Sequence, residues 1–167
     1  IVCTNLTLMS GGTINADALG YAGGWHPSIE GYGPGKGRLT ATYYGGGGGH
    51  GGVGGNGVSG TGGVAYDTTN APTQPGSGGG GNVAGHGGGT ILIEAQGTVN
   101  LDGTITADGG AAVNHGGGGS GGAILVFCRT FQGGTNGIVR ARGGNANFYS
   151  PSQYGGGGGG GRIAVGI

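Results

Sequence analysis

Residues 116–128 read Gly116-Gly117-Gly118-Gly119-Ser120-Gly121-Gly122-Ala123-Ile124-Leu125-Val126-Phe127-Cys128. The first half has almost no side chain to bury, so only its peptide groups can bond. The second half is a continuous apolar run of strand length, entered straight from glycine. The junction recurs as Gly-Gly-Thr-Ile-Leu-Ile at 88–93, Gly-Gly-Ala-Ile-Leu-Val at 121–126 and Gly-Gly-Arg-Ile-Ala-Val at 160–165. A second cassette accompanies it: Gly-Thr-Ile-Asn-Ala-Asp at 12–17, Gly-Thr-Ile-Thr-Ala-Asp at 103–108 and, more loosely, Gly-Ile-Val-Arg-Ala-Arg at 137–142. The repeating unit is strand, glycine-rich excursion, Gly-Gly, strand.

Working outward, further β-type segments lie at 6–8, 38–44, 90–95, 98–101 and 104–107, with others at 138–141 and 162–165. No 3.6-residue apolar stripe with caps appears, and glycine interrupts every window long enough for a helix. The excursions at 20–89, 109–122 and 143–161 differ in length, which argues against a rigid ladder of identical coils. The expected fold is all-β with almost no α-helix. A β-layer, sandwich or solenoid-like, would stand beside a bundle of polyglycine II helices in one domain spanning 1–167, either one repeat of a longer chain or one subunit of a fibre.

The composition supports this arrangement. Glycine supplies 54 of 167 residues, against roughly 7% in average proteins. Collagen would need a strict Gly-X-Y period and abundant proline, and here glycines run consecutively with five prolines in all. Disorder is normally sustained by charge or scattered polar residues, whereas this chain gathers its apolar residues into strands. A three-residue-per-turn extended helix leaves its N–H and C=O groups free for neighbouring helices, and glycine permits close approach. Ordering glycine costs about 0.5 to 1 kcal/mol more than ordering alanine, so such helices need many neighbours and anchored ends.

These runs resemble glycine-rich extracellular domains in which polyglycine II helices bundle beside strands. The likeness is to the glycine-rich region of anaplastic lymphoma kinase type receptors and to the adhesin tips of phage tail fibres. Springtail antifreeze proteins, with nearly continuous Gly-X-X repeats, are a poorer fit. The resemblance implies the structural device and an extracellular or cell-surface setting, while those proteins do different jobs.

Function classes narrow by exclusion. Six basic and six acidic residues leave zero formal net charge, so no electrostatic footprint for nucleic acid is present. The longest apolar run has six residues, Ala123–Cys128, against roughly 20 for a membrane span. No leader-like segment opens the chain, which reads as neither membrane-spanning nor a precursor. The four histidines, His26, His50, His86 and His115, lack metal-ligand spacing; each is expected to cap a glycine helix, its ring bonding backbone groups, or to face solvent. Asp17 and Asp108 occupy matched cassette positions, which speaks for turn hydrogen bonding. Gly118-Gly119-Ser120-Gly121-Gly122 matches a nucleophile elbow only because glycine is everywhere, and Gly35-Lys36-Gly37 lacks the Ser or Thr of a phosphate loop. No catalytic, cofactor-binding or metal site is expected, and no cofactor.

Four features remain as candidates. Cys3 and Cys128 could form an internal disulfide, stay as thiols, or link subunits. Asn5-Leu6-Thr7 is an N-glycosylation sequon. Trp25, Tyr32, Tyr43, Tyr44, Tyr149 and Tyr154 read either as lids on the glycine bundle or as a contact surface for a glycan or protein. Ile1, Val2, Val165 and Ile167 are strand-like ends that could act as assembly edges. The leading expectation is a noncatalytic extracellular module that assembles with copies of itself into a fibre, appendage or surface layer. The alternative is an adhesin or receptor-like binding module.

Overall fold

The computed structural model describes residues 1–26, 29–41 and 43–167. Twelve strands carry the fold, and no helix occurs among the described residues: β1 (Val2–Cys3), β2 (Leu6–Leu8), β3 (Thr13–Asn15), β4 (Thr90–Ala95), β5 (Thr98–Leu101), β6 (Thr104–Thr106), β7 (Ala123–Phe127), β8 (Thr130–Gly133), β9 (Ile138–Arg140), β10 (Phe148–Ser150), β11 (Gln153–Tyr154) and β12 (Arg162–Gly166). Three parallel sheets are visited in rotation, with orders β1-β4-β7-β12, β2-β5-β8 and β3-β6-β9. A small antiparallel pair, β10-β11, stands apart from them. The strands therefore build three walls of parallel strands.

Register explains why the sequence closes this way. Ile91, Ile124 and Ile163 pair across the first sheet, Val99 pairs with Leu6 and Phe131 in the second, and Ile105 pairs with Ile14 and Val139 in the third. Each wall turns its apolar alternate residues inward, and Ile93, Ile105, Ile124 and Val126 are wholly buried in one cluster. Fully burying such a side chain contributes about 1.5–3 kcal/mol. The unequal excursions do not disturb this ladder. All three leave after the third strand of a circuit and return at the start of the next, so their lengths cancel from the register.

At that corner the glycine segments form a second body. Residues 117–122 show its logic. Their N–H groups donate in turn to the carbonyls of Gly80, Gly156, Gly110, Ser77, Gly159 and Ala107. Positions three apart thus reach the same neighbour: 117 and 120 the 77–80 segment, 118 and 121 the 156–159 segment, 119 and 122 the 107–110 segment. The carbonyls of Gly117 and Ser120 accept from Gly85 and Gly88, that of Gly118 from Gly48 and that of Gly119 from Gly144. One extended segment is bonded in six directions. It is fastened to the walls where Gly122 donates to Ala107 and accepts from Arg162.

The spacing leaves no room for a methyl group. A Cβ on Gly119 would lie 1.9 Å from the His86 carbonyl oxygen, and one on Gly118 2.1 Å from that of Gly144, whereas one on Gly157 meets nothing within 4 Å.

Two expectations need correction. Arg38–Tyr44 is not a strand: Arg38 and Thr40 donate to Thr61 and Ser59, and Tyr43 takes a left-handed φ of 74°, with Thr42 outside the described residues. Its alternating Leu39, Ala41 and Tyr43 imitate a strand while the chain turns into the glycine segments. Nor do the cysteines form a bridge; both are free. Cys3 pairs with Ala95, and continuing the β4–β7 register sets Cys128 on the opposite side of Ala95. Two rungs of about 4.8 Å separate their Cα atoms by nearly 10 Å, beyond disulfide reach.

Gly118→Ala and Gly119→Ala should each lower stability by about 1–3 kcal/mol through backbone displacement and lost hydrogen bonds. Gly157→Ala should leave the thermal midpoint unchanged or slightly raised. Thermal denaturation of the three variants checks this.

Candidate functional site

The aromatic candidates divide into separate groups. Tyr43, Tyr44 and Tyr149 meet around a fourth ring, His115, with ring centroids 6.1, 4.9 and 6.0 Å from it and all three contacts edge-on. Tyr43 and Tyr44 are 6.4 Å apart. Tyr149 is 74% exposed; the β10–β11 hairpin holds it beside the histidine. The same hairpin stacks Phe148 on Tyr154 at 6.2 Å. Trp25 and Tyr32 instead line a groove of about 510 Å³ with Ala22, Val83, His86 and Val113, and Trp25 is 77% exposed. No ring contact joins the two groups among the described residues.

His115 was not singled out among the aromatics by its sequence position. It lies some 70 residues from Tyr44 and 34 from Tyr149, and only the packing of three excursions brings them together. Asn147 fixes its backbone through a 3.2 Å bond from the His115 N–H to the Asn147 side chain. The ring Nδ1 is buried without a hydrogen-bond partner.

His50 bonds backbone in the way expected of these histidines. It is 0% exposed, with Nδ1 3.0 Å from the Gly121 carbonyl oxygen and Nε2 3.3 Å from Asp67 Oδ2. Asp67 also accepts from the N–H groups of Thr68, Thr73 and Gln74 at 2.8, 2.9 and 3.0 Å. Burial would raise its pKa, but the Gln74 and Thr68 N–H groups, the His50 ring and the Thr73 N–H outweigh it and hold the carboxyl below its ordinary range. Beside them the Tyr66 hydroxyl is pushed up to about 12, mainly by burial, against a hydrogen bond from Ser77.

The other carboxylates stabilise corners. Asp17 Oδ1 accepts the N–H of Asp108, and Asp108 Oδ1 accepts that of Arg142, so matched cassette positions bond from one rung to the next. Asp108 Oδ2 also pairs with Arg140 Nε at 2.7 Å. Asp102 takes the N–H of Asn136, and Glu30 pairs with Lys36 at the surface. No group of three or more His, Cys, Asp or Glu able to hold a metal occurs among the described residues. No helix is long and apolar enough to cross a membrane among them.

Asn5 is exposed, with its side-chain oxygen accepting the Thr98 N–H at 2.7 Å. Val2 and Val165 lie on β1 and β12, at opposite edges of the four-stranded sheet. Together with Ile1 and Ile167 they are exposed. No family model, curated protein or solved structure is significantly similar to the chain.

Two outcomes follow from these sites. His115→Phe keeps the ring packing and removes the unpartnered nitrogen, so stability should hold or rise by up to about 1 kcal/mol; a fall in the thermal midpoint would mean that the nitrogen is engaged. Asp67, its carboxyl depressed in the fold, contributes stability that is full above the ordinary carboxylate range and lost as pH falls through the folded value. Asp67→Asn should flatten that acid loss in an unfolding titration.

Proposed function

We propose that the chain is a noncatalytic structural module of an extracellular fibre, appendage or surface layer, built as a β-solenoid that anchors a polyglycine II bundle and extends by pairing with further copies. The three-residue cycle of bonding directions along 117–122 supports the polyglycine II assignment. The observation that carries self-assembly is the state of the outer rungs. The Ile14–Ile105–Val139 column is wholly buried at Ile105 and only half-buried at either end. Ile163 and Val165 on β12 continue inward columns but are exposed. The outer edges of β2, β3, β8 and β9 have no strand partner among the described residues. Another copy's rung would bury the half-exposed columns and satisfy those edges, and zero formal net charge leaves stacked copies without strong mutual repulsion.

The second reading, an adhesin or receptor-like module, draws on the exposed Tyr149 beside Tyr43, Tyr44 and His115. Stacking rings with hydroxyl tips suit a glycan or a protein surface.

Cryo-electron microscopy of the purified protein separates the two. Ordered filaments with continuous rungs are expected, and the double variant Phe131→Lys, Val139→Lys should leave monomers, with a thermal midpoint lowered by the lost packing of two half-buried side chains. Discrete particles at every concentration, with ligand capture abolished by Tyr149→Ala, would favour the binding reading.

A further inference from the structure

Residues 66–75 cross the outer face of the four-stranded sheet. Thr90, Ala123 and Arg162 are neighbours across β4, β7 and β12. The segment is tied on both sides of Ala123: Thr90 Oγ1 donates to the Thr73 carbonyl at 3.5 Å, and Arg162 Nε donates to the Tyr66 carbonyl at 2.9 Å. Ala123 and Leu125 are 0% and 2% exposed, although neither belongs to the interior cluster. Leu125 alternates outward between the inward Ile124 and Val126, so its cover comes from outside the solenoid. The strap, tied over the Thr90–Ala123–Arg162 row with its own Pro72 fully buried, is the segment placed to supply it.

The strap meets the glycine body first at Tyr66, whose N–H donates to the His50 carbonyl at 2.8 Å, and then at the His50 ring. Its Nδ1 faces a carbonyl oxygen and its Nε2 faces a carboxylate oxygen. Neither partner has a hydrogen to give, since three backbone N–H groups hold Asp67 ionised. A neutral ring would therefore set one lone pair against an oxygen, whichever tautomer it adopted. Only the doubly protonated ring satisfies both contacts, and its positive charge compensates the enclosed carboxylate.

We propose that His50 is a buried imidazolium that, through Asp67, latches residues 67–74 of the strap over the sheet, and that loss of its charge frees them from the Tyr66 anchor onward and bares the Ala123–Leu125 patch. The remaining groups facing the ring leave that role to it. Tyr66 packs with its ring centroid 4.7 Å away, and its hydroxyl, bonded to Ser77 and the Pro75 carbonyl, stays protonated to high pH. Arg162 reaches the strap through the Tyr66 carbonyl. The glycine segments 51–52 and 116–122 bring no titratable side chain. The latch is closed while the ring is charged and Asp67 ionised. It opens on the alkaline side as the ring loses a proton, and on the acid side as pH falls through the depressed value of Asp67.

The test is NMR on the unmodified protein. Long-range proton–nitrogen correlations read the His50 ring nitrogens through a pH titration, while hydrogen exchange, corrected for intrinsic rate, follows the Thr68, Thr73 and Gln74 amides. Two protonated ring nitrogens at pH 7 are expected, with a loss of amide protection of at least tenfold as the ring deprotonates. His50→Gln should reproduce that loss at pH 7 while the Gly118 and Gly119 amides stay protected; if this variant does not fold, the titration alone decides. A singly protonated ring at pH 7, or strap amides that stay protected once the ring is neutral, overturns the proposal.

Discussion

A buried peptide group must find a hydrogen-bond partner, and in a backbone without side chains that requirement is almost the whole of the packing problem. Residues 117–122 meet it by donating to three neighbours in rotation and accepting from others between them. The lattice this creates is intolerant in the way a hydrophobic core is, but the currency is distance between main chains. A methyl group at Gly119 would sit 1.9 Å from a carbonyl oxygen, so glycine is required there for its missing volume. Gly81 adds a conformational need, turning the chain between two antiparallel segments with a φ of 98°.

The three strand walls and the glycine body solve each other's difficulty. Three rungs of short strands enclose a narrow core dominated by Ile, Val, Leu and Ala, too small on its own to order the long excursions. The glycine segments cannot form singly, because an extended helix with no internal hydrogen bonds gains nothing until its neighbours are present. The parallel register fixes both ends of every excursion at the same corner, which brings the segments side by side before any of them is ordered. Asp17 and Asp108 reinforce that corner from rung to rung. Long-range contacts therefore dominate, and formation should be strongly cooperative.

Much of this was legible in the sequence. The Gly-Gly-strand junctions and the Gly-Thr-Ile cassettes identified two of the three strand columns, and the matched aspartates announced their corner role. The second wall was harder: Thr130–Gly133 is short, polar and ends in glycine, and only its place after Cys128, like that of Thr98–Leu101 after Ala95, marks it as a strand. Arg38–Tyr44 misled because alternation reports which residues could line a sheet and says nothing of whether a neighbouring strand exists. The aromatic cluster and the His50–Asp67 contact were beyond reach, since each joins excursions whose mutual packing is set by backbone bonds that carry no side-chain signature.

The central claim is that the glycine runs are ordered by mutual backbone hydrogen bonding. Residue-resolved amide hydrogen exchange of Gly117–Gly122 tests it most directly. The account predicts protection approaching that of Ile124 and Val126 in the core strands, lost together with them in one transition. Exchange of those glycines at the rate of an unstructured peptide, with the strands still protected, would contradict it.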